Sequence, residues 1–162
     1  MPSNLSAAAE DRLESEPVKR VQALSRLLDN AIAIPGIGYR IGLDPILGLL
    51  PGGGDLISGI ISVYVVFEAA RLGVPAATLG RMGFNIILEV LLGTVPMVGD
   101  FFDVVWKANA KNVRLLERHI ISPRPRKKLD KLLAVVIVAI LLAIVLGAAT
   151  LSLLFVRWVL QM

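Results

Sequence analysis

The sequence predicts an all-α protein in which two pseudo-repeated helix–turn–helix units, joined through Pro-x-x-Gly-Asp turns, precede one C-terminal transmembrane helix. Three observations predict it. Leu132 to Val156 is a run of twenty-five residues without a charge. Upstream, apolar residues recur at helical spacing between Pro, Gly and capping acids. A thirteen-residue pattern also occurs twice in that upstream part. Composition agrees, with 56% hydrophobic residues, 19% charged residues and a mean hydropathy of +0.73. Those values exclude a disordered chain, which needs low hydrophobicity and high net charge. They also argue against a wholly water-soluble globule. With no Cys in the sequence, disulfide frameworks, thiolate zinc sites, iron–sulfur clusters and Cys nucleophiles are excluded together.

Residues 1–16 are small, polar and acidic, with Glu10, Asp11, Glu14 and Glu16 against Arg12 alone, and read as a solvated, disordered tail. An all-α repeat domain is expected over 17–121. Its first helix carries the stripe Val18, Val21, Leu24, Leu28 and Ile32, and must end near Pro35-Gly36. Asp44-Pro45, an N-cap acid before a first-turn Pro, opens a short helix that stops at Pro51-Gly52-Gly53-Gly54. Asp55 caps the next helix through about Leu72, Pro75 opens one ending near Gly93, and Asp100 caps the last, which ends before Pro123. A basic juxtamembrane linker covers 122–131, the membrane helix 132–156, and a short tail 157–162. At ~1.5 Å per residue the uncharged run is about 37 Å long, enough to cross a ~30 Å hydrocarbon core with some tilt. Arg124, Arg126, Lys127, Lys128 and Lys131 precede it, so the positive-inside rule places the domain in the cytoplasm, and a bacterial inner membrane is the expected location.

The repeat sets residues 43–55 (LDPILGLLPGGGD) above 88–100 (LEVLLGTVPMVGD), with Leu, Leu, Gly, Pro, Gly and Asp matched and Asp44 over Glu89. Two equivalent units about a pseudo-twofold are the natural architecture. The GLDP, Pro-x-x-Gly-Asp and WKAN strings, together with the sequence around them from about Leu27 to Arg118, resemble the uncharacterised DUF4112 family. The resemblance implies no particular reaction, ligand or cofactor, and it leaves the C-terminal helix outside its reach.

Whether the middle lies in the membrane or on it follows from length and charge. Leu56–Phe67 is too short to span, and Met82–Trp106 carries Glu89, Asp100 and Asp103, each costly at mid-bilayer unless it faces protein or water. Arg40, Arg71, Arg81, Lys107 and Lys111 leave every connection basic, which favours a domain at the cytoplasmic interface over embedded hairpins. Residues 107–131 hold nine Lys/Arg against two acids. Within them Lys107, Lys111, Arg114 and Arg118 form one helical stripe, and with Arg124, Arg126, Lys127, Lys128 and Lys131 they are the expected contacts to anionic headgroups. A solvated helix face with a positive-inside flank explains the same residues. Nucleic acid is not expected, because no base-reading module accompanies the basic run.

The acids within apolar sequence are Asp44, Asp55, Glu89, Asp100 and Asp103. Helix capping accounts for Asp44, Asp55 and Asp100, and Asp103 can pair with Lys107 one turn on. Glu89 stands mid-helix without a local partner. If repeat symmetry gathers these carboxylates, they would hold a hard cation or relay protons. Enzyme chemistry has little support: His119 is the only His, and neither a Gly-x-Ser-x-Gly elbow nor a His-Glu-x-x-His motif is present. A carboxylate-only metal hydrolase is the remaining catalytic option, and no cofactor is expected. Asn85, Asn109 and Asn112 read as helix-to-helix hydrogen bonds. In the anchor, Ala139, Ala143 and Gly147 form a small-residue ladder suited to a homo-oligomer seam. The leading expectation is a membrane-anchored helical interaction domain holding anionic lipid and a second copy of itself. A small transport or channel unit built from Gly-Pro-broken hairpins is the alternative.

Overall fold

The computed structural model describes residues 6–30, 32–33, 40–41, 54–93, 107–123, 125 and 128–161. Six helices occur among them: α1 (Ala7–Leu13), α2 (Glu16–Asn30), α3 (Gly54–Arg71), α4 (Ala76–Gly93), α5 (Ala108–Ile121) and α6 (Lys128–Leu160). A two-residue antiparallel ladder, β1 (Ile32–Ala33) with β2 (Arg40–Ile41), pairs Ile32 with Ile41 and Ala33 with Arg40. It is too short to alter the all-α class. The two repeat turns and the helix expected after Asp44 lie outside the described residues.

The acidic stretch expected to be a solvated tail forms α1, and its Ala9 is buried. A seven-residue helix is marginal alone; contact with α2 and α5 supplies what its length does not. On α2, Val18, Val21, Ser25 and Leu28 are buried, while Lys19, Arg20 and Arg26 are exposed on the other side. The helix ends at Asn30, so Ile32 leaves the apolar stripe and enters the ladder instead.

Helix α3 is the centre of the bundle and touches α2, α4, α5 and α6. That position explains why Ser62, Val63, Val65, Val66, Glu68, Ala69 and Ala70 are buried around most of its circumference. It ends in a Schellman turn: Gly73 has φ +91°, its N–H donates to Ala70 O at 3.2 Å, and Val74 N–H donates to Ala69 O at 3.1 Å. Val74 is fully buried behind that turn. The carbonyl of Pro75 then accepts from Thr78 and Leu79, which starts α4 and closes an α3–α4 hairpin.

Helix α6 runs along this hairpin. Asp130, Ala134, Leu141, Val145 and Ala149 are its buried residues, spaced as one helical face. Two glycines let it approach. A Cβ at Gly59 would lie 2.5 Å from Val145 Cγ1, and one at Gly83 would lie 3.3 Å from Leu141 Cδ1. From Ala134 to Ala149 the seam is about 22 Å long at ~1.5 Å per residue. The remaining faces of α6 are apolar and exposed, including Leu132, Val135, Ile140, Leu146, Leu151 and Leu154. Among the described residues it is the one helix long and apolar enough to cross a membrane, over Leu129–Leu160.

Candidate headgroup site

The far side of the hairpin carries polar chemistry, and α5 organises it. This helix starts without a cap of its own, because Lys107 at its N-cap has φ 48° and makes no side-chain cap bond. The cap comes from another helix. Asp29, near the end of α2, is 3% exposed and accepts from the Ala110 N–H and from Asn109 Nδ2 at 3.1 Å. The carboxylate thereby satisfies one orphan backbone N–H at the helix start, that of Ala110, and sits at the positive end of the dipole. One turn later, Asn112 is fully buried between α4 and α5. It accepts from Asn85 Nδ2 at 2.8 Å and donates to Met82 O at 3.1 Å. All three asparagines therefore fix helix register, as their positions in the sequence suggest. Gln22 Nε2 donates to Glu117 Oε1 at 2.7 Å and ties α2 to the other end of α5.

On the outer side of α5, Lys111, Arg114 and Arg118 face α4 across a groove of about 600 Å³. Arg81 completes the basic lining, and Ala77, Gly80, Phe84, Asn85 and Leu115 form its walls and floor. Three of the four residues in the basic stripe thus share one cleft. Lys107 stands apart at the start of α5, beside Asp29. Burial lowers the Lys111 amine below 10.5; the nearby Arg114 charge lowers it further and Glu89 opposes the shift. Lys107 is also lowered, by burial first, with Asp29 opposing and Arg114 adding to the effect. Both amines are held in surroundings that penalise their charge, and a bound anion would relieve that penalty.

The family comparison places this architecture. Residues 17–120 match the family described as Domain of unknown function (DUF4112). The chain belongs to the DUF4112 family. The matched segment takes in α2 to α5 and stops before α6, so the groove lies inside the DUF4112 domain and the Gly59–Val145 seam joins that domain to a helix beyond it. No curated protein and no solved structure matches the chain.

The carboxylates expected as a cation site are only partly placed. Asp44, Asp100 and Asp103 lie outside the described residues, as do the side chain of Asp55 and the residues Arg124, Arg126 and Lys127. The Lys128 side chain is likewise outside them. Glu89 is half-buried on α4, and its charge acts on Lys111 of α5, raising the amine's pKa against the effect of burial. Among the described residues no group of three His, Asp or Glu side chains could hold a metal. Beside Asp130 at the start of α6, two further buried acids escaped sequence reasoning. Asp29 is one, and its signal is weak because Asp-Asn before an apolar stretch resembles an ordinary helix end. Glu68 is the other: it is 3% exposed and accepts from Tyr64 Oη and Arg71 Nη1, each at 3.1 Å. Its i,i+3 and i,i−4 partners were available as a spacing signal. Arg81 also escaped, since only the docking of α5 shows that it joins the stripe.

Proposed function

We propose that the protein is a membrane-anchored interaction module whose DUF4112 domain holds anionic lipid at the cytoplasmic face. The observation that carries this reading is an exposed apolar surface combined with exposed bases in one bundle. Apolar side chains stand exposed on α6 and at Ile57, Ile60, Phe67 and Leu91 of the docked hairpin. Helices α2 and α5 expose Lys19, Arg20, Arg26, Arg114 and Arg118. An apolar body with a basic flank is the pattern expected at an anionic leaflet, where each base near the surface contributes about 1 kcal/mol. The basic run before α6 supports a cytoplasmic orientation. No cofactor and no catalytic step belong to this reading.

The outward face of α6 supports self-association. Ala139, Ala143 and Gly147 are exposed and lie opposite the seam formed by Leu141 and Val145. A Cβ at Gly147 would meet nothing within 4 Å, so a second helix has room there.

The deciding experiment reconstitutes the full chain in nanodiscs of zwitterionic lipid doped with phosphatidylglycerol. Lipid bound around the protein should be enriched in the anionic species. Replacing Lys107, Lys111, Arg114 and Arg118 with Glu should abolish the enrichment, and an unchanged enrichment would refute the lipid role. Polar side chains buried between helices, namely Ser62, Asn109, Asn112 and Asp29, support a second reading as a small transport unit. Ion flux in proteoliposomes that is lost in Glu89→Gln would favour it.

A further inference from the structure

The groove between α4 and α5 has a shape that scattered surface charge would not need. Gly80 lies at its floor, and a Cβ built there would meet nothing within 4 Å, so the cleft stays open along α4 at that point. Arg81, Arg114 and Arg118 are exposed around it, and no carboxylate is among its lining residues. Beside these bases Phe84 is 58% exposed, an aromatic wall left uncovered next to guanidinium groups. Arginine matches phosphate oxygens through its planar fork of donors. A free inorganic anion would use the bases and leave Phe84 in water. A phospholipid would use both, with its phosphodiester on the arginines and an acyl chain against Phe84 and Leu115.

We propose that the α4–α5 groove is a discrete seat for one anionic phospholipid, with Arg81, Arg114 and Arg118 on its phosphate and Gly80 leaving room for it. The proposal rests on the lipid-holding reading above and adds to it a defined stoichiometry and a defined place. A bound phosphate would also relieve the charge crowding between Arg114 and Lys111.

The test uses the full chain, delipidated in detergent, with native mass spectrometry to count retained phosphatidylglycerol against phosphatidylcholine. Gly80→Leu fills the groove without changing charge, and leucine is the better helix former, so folding is not at risk. It should weaken phosphatidylglycerol retention by about tenfold or more. Arg81→Gln should weaken it by about fivefold, the contribution of one base near an anionic lipid. Arg12→Gln removes the same charge from α1, outside the basic flank and the groove, and should leave retention within about twofold. Equal losses in the two arginine variants with none in Gly80→Leu would overturn the groove while leaving the lipid-holding reading intact. No preference for phosphatidylglycerol in the unaltered protein would overturn that reading itself. Displacement of all bound lipid by millimolar inorganic phosphate would overturn the assignment to a lipid.

Discussion

Substituting Gly59 with alanine tests whether α6 is docked on the family domain as described. The two opposing effects can be worked from the seam. In the interior of α3, alanine improves on glycine by about 1 kcal/mol through propensity alone. Against that, the new methyl would lie 2.5 Å from Val145 Cγ1 and 3.1 Å from Val145 Cγ2. Valine has little freedom to yield, because both methyls branch from Cβ and its χ1 is restricted in a helix. Overpacking of this kind costs about 1–3 kcal/mol, so Gly59→Ala should be neutral to destabilising by about 2 kcal/mol. Gly80→Ala supplies the calibration: it meets open space and should stabilise by up to about 1 kcal/mol. Adding Val145→Ala to Gly59→Ala should restore the fit, giving a favourable coupling of about 1–2 kcal/mol in the double-mutant cycle. The assay is reversible unfolding of the full chain in detergent micelles, followed by helical circular dichroism. If Gly59→Ala stabilises as much as Gly80→Ala and shows no coupling to Val145→Ala, α6 is not seated in this seam.

Removing α6 altogether should expose the hairpin face that it covers, so residues 1–123 should require detergent to remain monodisperse; size-exclusion chromatography without detergent checks this. Asp29→Ala leaves Asn109 Nδ2 and the Ala110 N–H without their acceptor in a buried setting and should cost about 2–4 kcal/mol, read as a lower unfolding midpoint. Lys107 and Lys111 both titrate below 10.5 in the folded chain, so over the window just below 10.5 the unfolded state binds more protons. Their penalty is fully present below the folded values and is relieved as pH rises through that window, so stability should rise there. A Lys107→Gln/Lys111→Gln variant should lose that part of the slope. Gly147→Ile should reduce cross-linked dimer in vesicles while leaving the unfolding midpoint unchanged, because position 147 is exposed and open.

The helices were legible wherever local chemistry decides them. Val18, Val21 and Leu28 mark α2 by period, Pro75 marks the start of α4, and the uncharged run from Leu132 marks α6. The family, too, was legible in its GLDP and WKAN strings. What escaped depends on contacts far apart in the chain. Ile32 fits the stripe of α2, yet its backbone finds a partner at Ile41, which periodicity cannot foresee. Glu89 read as isolated because Lys111, the base its charge acts on, lies on another helix. The docking of α6 was invisible for the same reason: Gly59 and Gly83 read as small residues in apolar helices until Val145 and Leu141 are brought against them. Of the basic stripe, Lys111, Arg114 and Arg118 line the groove, whereas Lys107 falls before the helix begins and Arg81 takes the fourth place.

The cap that α5 borrows from α2 also makes a gauge of the bundle. The Ala110 N–H is shielded only while Asp29 holds it, and Asp29 can hold it only while the end of α2 is seated. Amide hydrogen exchange at that single position therefore reports how often α2 lifts away, whatever the rest of α5 is doing. An opening confined to α2 would deprotect Ala110 while leaving the amides around Leu116 slow, and complete unfolding would release both at one rate.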